Sequence, residues 1–504
     1  MRYVLGSDIG TGSCKTLLVD EHGVVVARAS GLYHLSHPQP GWAEYNPDDW
    51  YQSFCGSTRQ VLKTSGIHPR HIQAVCIVGI THNPVLLDKN STVLMPSIHF
   101  NDVRSVPQCD EIAAHFGDQV LQRVKNTVGA LWTFPQLAWI KQHRPDVWQH
   151  IHALHFPKDY VRHRLVGWID PRVTDFIDAS GTLLFNPQTR EWIDPFLDWL
   201  NFDRAALPDV RSPFGYAGTV DEGAAFHTGL HEGTPVLVGT TDTAAEVFAA
   251  GAVSPGRGTI KLASTGRIAF VTEHPVLHQH VLNYPYLFDD LWYPGTAVKY
   301  ATSAFRWLYE SIWASIPNAD YAVMDQAAAQ VAPGSDGLLF LPHLLGQFAP
   351  QWDSQRSAAF LGMTIRHDLR HMTRAVLEGV AFAIRDALEA VRALGLDADD
   401  LFLIGAGAKS RLWAQIMADV LNRPLTIPVE RDAAYGAALM AGMTAGLYPD
   451  DPIAIASFVR TEATVQPIRA HVETYDALFE IYHAADQALT PISARLFEWR
   501  SRKI

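Results

Sequence analysis

Apolar positions in this chain come in short runs divided by small and polar turns, a pattern of alternating strands and helices. Tyr3–Ser7, Thr16–Asp20 and Val24–Ala29 read as three successive strands, joined by the loop Asp8–Lys15 and the turn at His22-Gly23. Asn46 then predicts a helix N-cap and Pro47 its first turn, with Asp48 and Asp49 beside them. Ile72–Ile80 is a buried strand that ends at Thr81-His82-Asn83-Pro84, and Val85–Asp88 resumes extended structure. From 110 to 235 the pattern reads as largely helical and aromatic, and Trp132, Trp139, Trp148, Trp168, Trp192 and Trp199 are expected to pack. Val236–Val238 predicts another buried strand, Gly239–Thr241 a tight turn and Ala244–Ala250 a helix, so Asp242 falls at a strand-to-helix junction.

Beyond this point the opening pattern returns. Gly251–Gly256 is a small-residue break that predicts a hinge, and the strands Thr259–Leu262 and Arg267–Val271 flank the turn Ala263–Gly266. Two halves that each open with strand, Gly/Ser/Thr turn and strand suggest a duplicated fold with two facing loops. Leu338–Pro342 and Leu401–Ile404 are further strands, Leu369–Leu394 is a long helix, and Gly405–Ser410 is a glycine turn into a helix that starts near Arg411. Ala433–Gly446 is so rich in small residues that it is expected to pack closely on a neighbouring helix. A length of 504 residues supports two domains, drawn at 1–248 and 249–504.

Charge narrows the partners. The formal net charge is −12, from 40 Lys and Arg against 52 Asp and Glu, and no Lys/Arg run offers a surface for nucleic acid or an anionic membrane. Cys14, Cys55, Cys76 and Cys109 lack metal-ligand spacing and read as reduced thiols. No stretch approaches the ~18 apolar residues of a membrane helix, so the expected location is the cytoplasm.

Several segments could carry chemistry. Asp8–Lys15, DIGTGSCK, combines glycines for close approach, hydroxyls and amides that donate to anionic oxygens, a lysine, and an acid able to hold a hydrated cation. Those are the needs of a nucleotide's terminal phosphates with Mg²⁺, although a glycine-rich hairpin needs no ligand and the Walker spacing is absent. Asp242 is either a general base at the carboxyl end of a strand or a plain N-cap. His82 is either a ligand group or a neutral core histidine. Asn101, Asp102 and Arg104 suit a ligand covered in hydroxyls, or simply an Asp102–Arg104 pair on the surface. Gly405–Ser410 fits a nucleotide site and equally fits close strand–helix packing.

Taken together these segments resemble the FGGY family of carbohydrate kinases from Gly6 to about Gly446, most closely its xylulose-phosphorylating members. DIGTGSCK is similar to the family's first phosphate loop, GWAEYNPDDW to its GW-E-DP--W segment, and HFNDVR to its WNDxR. FPKDYVRHRLVG is similar to its LPKDYLRxxLTG, LIGAGAKS to its GGGAxS turn, and Ala358–Glu378 to its second signature through Gly362, His371, Ala375 and Glu378. The resemblance implies an α/β chain of two ribonuclease-H/actin-like domains closing on a cleft, with sugar held mainly by the first and ATP mainly by the second. It implies transfer from ATP to a sugar hydroxyl, D-xylulose first, with Asp242 as base and Asp8 holding Mg²⁺ through water. By the same match Gly10, Thr11, Gly12, Ser13 and Lys15 face the phosphates, with Ser264, Thr265 and Gly266 opposite. Gly405, Gly407 and Ala408 lie near the adenosine, and Thr81, His82, Asn101 and Asp102 near the sugar. A homodimer is compatible with it.

The departures from the family pattern fall at sugar-facing positions. Ile80-Thr81-His82-Asn83 stands where xylulose-phosphorylating members have Gln-Met-His-Gly, Thr240-Thr241-Asp242-Thr243 where they have Gly-Gly-Asp-Asn, and Ala263–Gly266 where they have Gly-Thr-Ser-Gly. Ribulose, L-xylulose, gluconate or an autoinducer-like diol therefore stay as alternatives. Outside kinases the alternative is an ATP-binding sugar sensor without turnover, which the retention of Asp242 disfavours.

Overall fold

Strand-forming runs recur in the same order and build two six-stranded sheets in the computed structural model, which describes residues 1–168, 172–288 and 290–501. In the first sheet Tyr3–Ile9 (β1), Ser13–Asp20 (β2) and Val25–Leu32 (β3) form an antiparallel meander, and Ile72–Gly79 (β4) lies parallel to β1 on its other side. The antiparallel pair Tyr216–Thr219 (β5) and Pro235–Leu237 (β6) completes it, with β6 parallel to β4. The second sheet repeats the plan with the meander Arg257–Leu262 (β7), Gly266–Phe270 (β8) and Gly295–Val298 (β9). Asp400–Ile404 (β10) and Leu425–Pro428 (β11) then run parallel to β7, and Thr461–Val465 (β12) closes the edge antiparallel to β11. The duplication is thus topological, and it differs only at the edge, where β5 precedes its partner and β12 follows.

Parallel neighbours need long crossovers. The helix Pro47–Ser65 (α1) makes one of them, between β3 and β4: Asn46 accepts from the Asp48 amide to start it, and Gly66, at φ 66°, ends it. β1 and β4 are buried on both faces, which is why they read as unbroken apolar runs.

Three differences from the sequence expectations bear on the site. The strands run into the first loop, so Asp8 pairs with Lys15 and Ile9 with Cys14 across the ladder, and only Gly10–Gly12 turn freely. The stretch from 110 to 235 is not largely helical. It mixes short helices with short strands, among them the helices Pro157–Leu165 (α2) and Phe176–Ser180 (α3), because turns such as Gly181 and Asn201 cut the apolar pattern. Its tryptophans do pack against the cores. Finally, the small-residue helix Ala433–Thr444 (α5) packs not only on the helix Asp242–Ala249 (α4) but directly on the first sheet. A Cβ on Gly436 would sit 2.1 Å from the Ala245 carbonyl oxygen, and one on Gly6 would sit 2.1 Å from that of Ala434. Residues of the second half therefore share a core with the first sheet. The expected hinge, 251–256, spans the gap between α4 and β7.

Candidate functional site

β1, β4 and β6 are parallel, so their carboxyl ends open on one edge of the first sheet, where ligands of such sheets bind. Asp8 lies near the end of β1, Thr81 and His82 follow β4, and Asp242 follows β6. Backbone bonds lock the ends together: the Gly79 amide donates to the Thr240 carbonyl at 3.2 Å, and the Ile80 amide to Ile9 at 2.9 Å.

Asp242 is the first residue of α4 and not its cap. Thr241 fills that role, its hydroxyl accepting from the Ala244 amide at 3.3 Å, because the extended backbone a cap needs falls one residue earlier. Oδ1 of Asp242 accepts from the amide and hydroxyl of Thr243 at 2.6 and 3.1 Å, and among the described residues no cation pairs with the carboxylate. Asp8 faces it. Burial first, then the negative charge of Asp242, hold the Asp8 carboxyl well above the usual carboxylate range against the pull of Lys15, and Glu246 and Asp432 add to the effect. Glu246 is paired with Lys261 of β7, and Lys15 with Asp432 at 2.6 Å, so the lysine expected on the phosphates also bridges to the residue before α5. Four carboxylates thus share two ammonium groups, and Oδ1 of Asp8 is buried without a hydrogen-bond partner. An orphan acceptor in a field short of positive charge fits a divalent cation. Among the described residues no three His, Cys, Asp or Glu side chains gather closely enough to hold a metal ion.

His82 is built into the same edge with a left-handed backbone, φ 73°, uncommon for a residue with a side chain. Nδ1 lies 2.7 Å from the Gly181 carbonyl, which can only accept, so Nδ1 carries the proton and Nε2 accepts from the Tyr284 hydroxyl at 3.1 Å. The Thr133 hydroxyl holds its carbonyl and Trp132 packs edge-on at 4.7 Å. A Cβ on Gly181 would meet Thr81 Oγ1 at 2.6 Å, so only glycine lets that segment approach, and the buried Thr81 hydroxyl lies by Asp178, whose carboxyl it helps to hold down. Burial pushes His82 down to about 4, with the Arg267 charge adding. Because the unfolded side chain titrates near 6.5, the unfolded state binds the extra proton between the two values. Stability of the wild type relative to His82→Gln should therefore fall as pH drops from about 6.5 towards 4, read from urea midpoints.

Asp102 and Arg104 do pair, but not on the surface. Both side chains are buried, with guanidinium bonds of 2.9 and 2.7 Å to the carboxylate, a further ion pair to Glu44 at 2.7 Å, and Trp42 stacked 3.6 Å from the guanidinium. Asp102 also accepts from the Ala43 amide at 2.6 Å, so it is occupied by scaffolding, while Asn101 is exposed.

The loops take defined shapes. Tyr33 and Tyr45 donate to the carbonyls of Gly10 and Thr11, which fixes the turn, and a Cβ on Gly12 would meet nothing. Ser13 opens β2. In the second sheet Ser264 and Thr265 are exposed on a loop tied down through the Ser264 carbonyl by the Ala301 amide at 3.0 Å and the Ser303 hydroxyl at 2.5 Å, and Gly266 is buried behind it. At the neighbouring turn, packing explains the glycines: Gly405 has φ 87°, and a Cβ there or on Gly407 would fall 2.6 to 2.7 Å from Leu262. Gly407 and Ala408 are accordingly buried, and Ala406 and Lys409 are the exposed residues.

Sequence reasoning assigned no role to one group of charges beneath this edge. Lys158 is fully buried and lies 2.5, 3.1 and 3.0 Å from Asp159, Asp175 and Asp178. Arg162 pairs with Asp159 at 2.7 Å and donates to the carbonyl of Val238, and Asp175 accepts from the Thr240 hydroxyl at 3.0 Å. Both ties reach the strand end that carries Asp242. Burial pushes Asp178 up to about 7 even against Lys158. The available signal was Lys158-Asp159 with Arg162 one turn on in the FPKDYVRHRLVG segment, three charges in a run flanked by apolar residues.

Models of the N-terminal and C-terminal domains of the FGGY family of carbohydrate kinases match residues 3–249 and 263–445. A xylulose kinase of Bacillus subtilis is 31% identical over 487 residues, 96% of each chain. The crystal structure of a xylulose kinase from Rhodospirillum rubrum is similar over 98% of this chain and 100% of its own, at 31% identity and a TM-score of 0.87. A gluconokinase of Bacillus subtilis is 26% identical over 491 residues, 95% of this chain and 94% of its own.

Proposed function

The chain belongs to the FGGY family of carbohydrate kinases, and on that premise we propose that it passes the γ-phosphoryl group of ATP to a hydroxyl of an open-chain sugar, D-xylulose first among the candidates, with Asp242 as the general base. The observation that carries this is the setting of Asp242: Thr241 relieves it of capping, no cation among the described residues forms an ion pair with it, and it shares the sheet edge with Asp8 and His82. Thr243 holds Oδ1, which fixes the carboxylate plane and leaves Oδ2 to take the proton as the sugar oxygen attacks phosphorus. The hydroxyls of Ser264 and Thr265 and the amides of Thr11 and Gly12 are donors available to phosphoryl oxygens, the Gly10 amide being bonded to the Ser13 carbonyl, and such transfer depends on positioning and charge more than on covalent chemistry. Asp8 would hold Mg²⁺ through water, and what that ion supplies when bound is neutralisation of phosphoryl charge. Tyr284 and the neutral ring of His82, bonded to each other, would wall the sugar end.

Four free cysteines and the absence, among the described residues, of a helix long and apolar enough to cross a membrane support work in the cytoplasm. Release of ADP on adding ketopentoses, pentitols, hexonates or short diols to enzyme, ATP and Mg²⁺ tests the reading. The expected result is release with D-xylulose above a no-sugar control, and release with none of them would favour a nucleotide-binding sensor. Asp8→Ala should raise the Mg²⁺ concentration needed for half-maximal rate, and an unchanged Mg²⁺ titration would remove Asp8 from that role.

A further inference from the structure

The chain passes between its two halves three times: from α4 into β7, from β11 into α5, and back into β12 by way of the short helix Pro452–Ala456. All three crossings line one cavity of about 300 Å³, the first through Gly251 and Arg257, the second through Pro428 and the third through Val459, with Phe402 of β10 and Ile453 beside them. α4 joins this cavity to the site, because Asp242 is its first residue and Ala250 and Gly251, just past its last, border the cavity. A helix of 8 residues spans about 12 Å as a stiff rod, so displacement at one end is carried to the other. On the cleft side the halves touch. Tyr284 donates to His82 at 3.1 Å, and the buried Asn126 and Asn283 exchange bonds of 2.7 and 2.8 Å. The cavity therefore exists with the cleft shut. Parting the halves at the Asp242 end would turn them about the crossings and narrow the space behind, so a molecule that fills it opposes opening.

The walls select the occupant. Arg257 donates to the Gly251 carbonyl at 2.9 Å and lies 3.5 Å from the Asp400 carboxylate, so its charge is answered and the cavity does not call for an anion. The guanidinium plane and the ring of Phe402 are flat surfaces on which an aromatic ring stacks, and Pro428, Ile453 and Val459 are apolar. Ile453, on the rim, is 72% exposed, which leaves a way in from solvent. An apolar cavity of about 150 Å³ is already enough to hold benzene. We propose that this cavity is a regulatory site for a neutral aromatic molecule of one or two rings, which favours the closed form and thereby tightens sugar binding. Such a ligand and the sugar strengthen each other's binding by the same factor, as linkage requires.

Indole serves as the probe, with cyclohexanol as the non-aromatic comparison and benzoate as the charged one. Saturating indole should lower the KM for D-xylulose about fivefold or more, the lower end of ordinary coupling between sites, and should raise the midpoint of thermal melting. Cyclohexanol and benzoate should do less. Ile453→Ser, at an exposed position where the fold survives, should raise the indole concentration needed for half the effect. Ala456→Phe, which fills the cavity from its wall, should abolish the response and lower the KM for D-xylulose unaided. No change in KM or melting with indole would overturn the proposal. An undiminished response in both variants would also overturn it, by placing the ligand elsewhere, and so would a rise confined to the KM for ATP, which would put the ring in the place of adenine. The KM readout rests on the kinase reading and melting does not: a melting shift that both variants reduce, in protein that turns over no D-xylulose, would sink that reading and keep the site.

Discussion

Asp242→Asn should lower kcat by about 10²- to 10⁴-fold, the usual worth of a positioned general base. The variant is nearly isosteric, and the Thr241 cap that starts α4 does not depend on the lost charge, so the fold and ATP binding should survive. An amide cannot take the hydroxyl proton, and the loss should therefore appear in kcat with little change in the KM for ATP. One side effect serves as a control. Asp242 is the largest charge raising Asp8, so its removal should bring the Asp8 carboxyl down towards the ordinary range. A variant with near-normal turnover would take the base role away from Asp242.

Lys158→Met should cost about 3–5 kcal/mol of stability, the penalty for leaving buried charges without their partner. Three carboxylates surround Lys158, and Arg162 answers only Asp159 among them. Loss of the ammonium group raises the carboxyls of Asp175 and Asp178 further above their unfolded value, so the variant folds with protons that the unfolded chain releases. Its deficit should consequently be smaller near pH 5 than near pH 8. Urea unfolding at the two pH values checks this, and equal deficits would show that the cluster does not titrate as a unit. Because Asp175 holds Thr240 and Arg162 holds the Val238 carbonyl, the same variant should misplace Asp242 and lose activity before it unfolds.

Much of this was legible in the residues. Asn46-Pro47, the Gly405 turn and the two strand–turn–strand openings follow local rules, and local rules hold where a neighbour does not override them. Asp242 stood out because strand, polar turn and small-residue helix leave few other homes for a carboxylate. What escaped was tertiary. Whether Asp102 and Arg104 meet on the surface or under Trp42 depends on a ring from a distant part of the chain, and one-dimensional spacing does not encode it. Lys15 reads as a phosphate ligand from its loop, and its ion pair with Asp432, 417 positions away, is not visible there. The Lys158 cluster was hidden for another reason: charges on a helix ordinarily mean a solvated face, and only the burial of α2 reverses that meaning.

The most direct test of a sugar kinase with Asp242 as its base is mass analysis of the sugar itself after incubation with ATP and Mg²⁺, for wild type and Asp242→Asn at matched nucleotide occupancy. The expected result is a sugar heavier by one phosphoryl group with the wild type and unchanged sugar with the variant. Phosphorylated sugar at equal rates from both proteins, or ADP formed by the wild type with the sugar left unmodified, would contradict it.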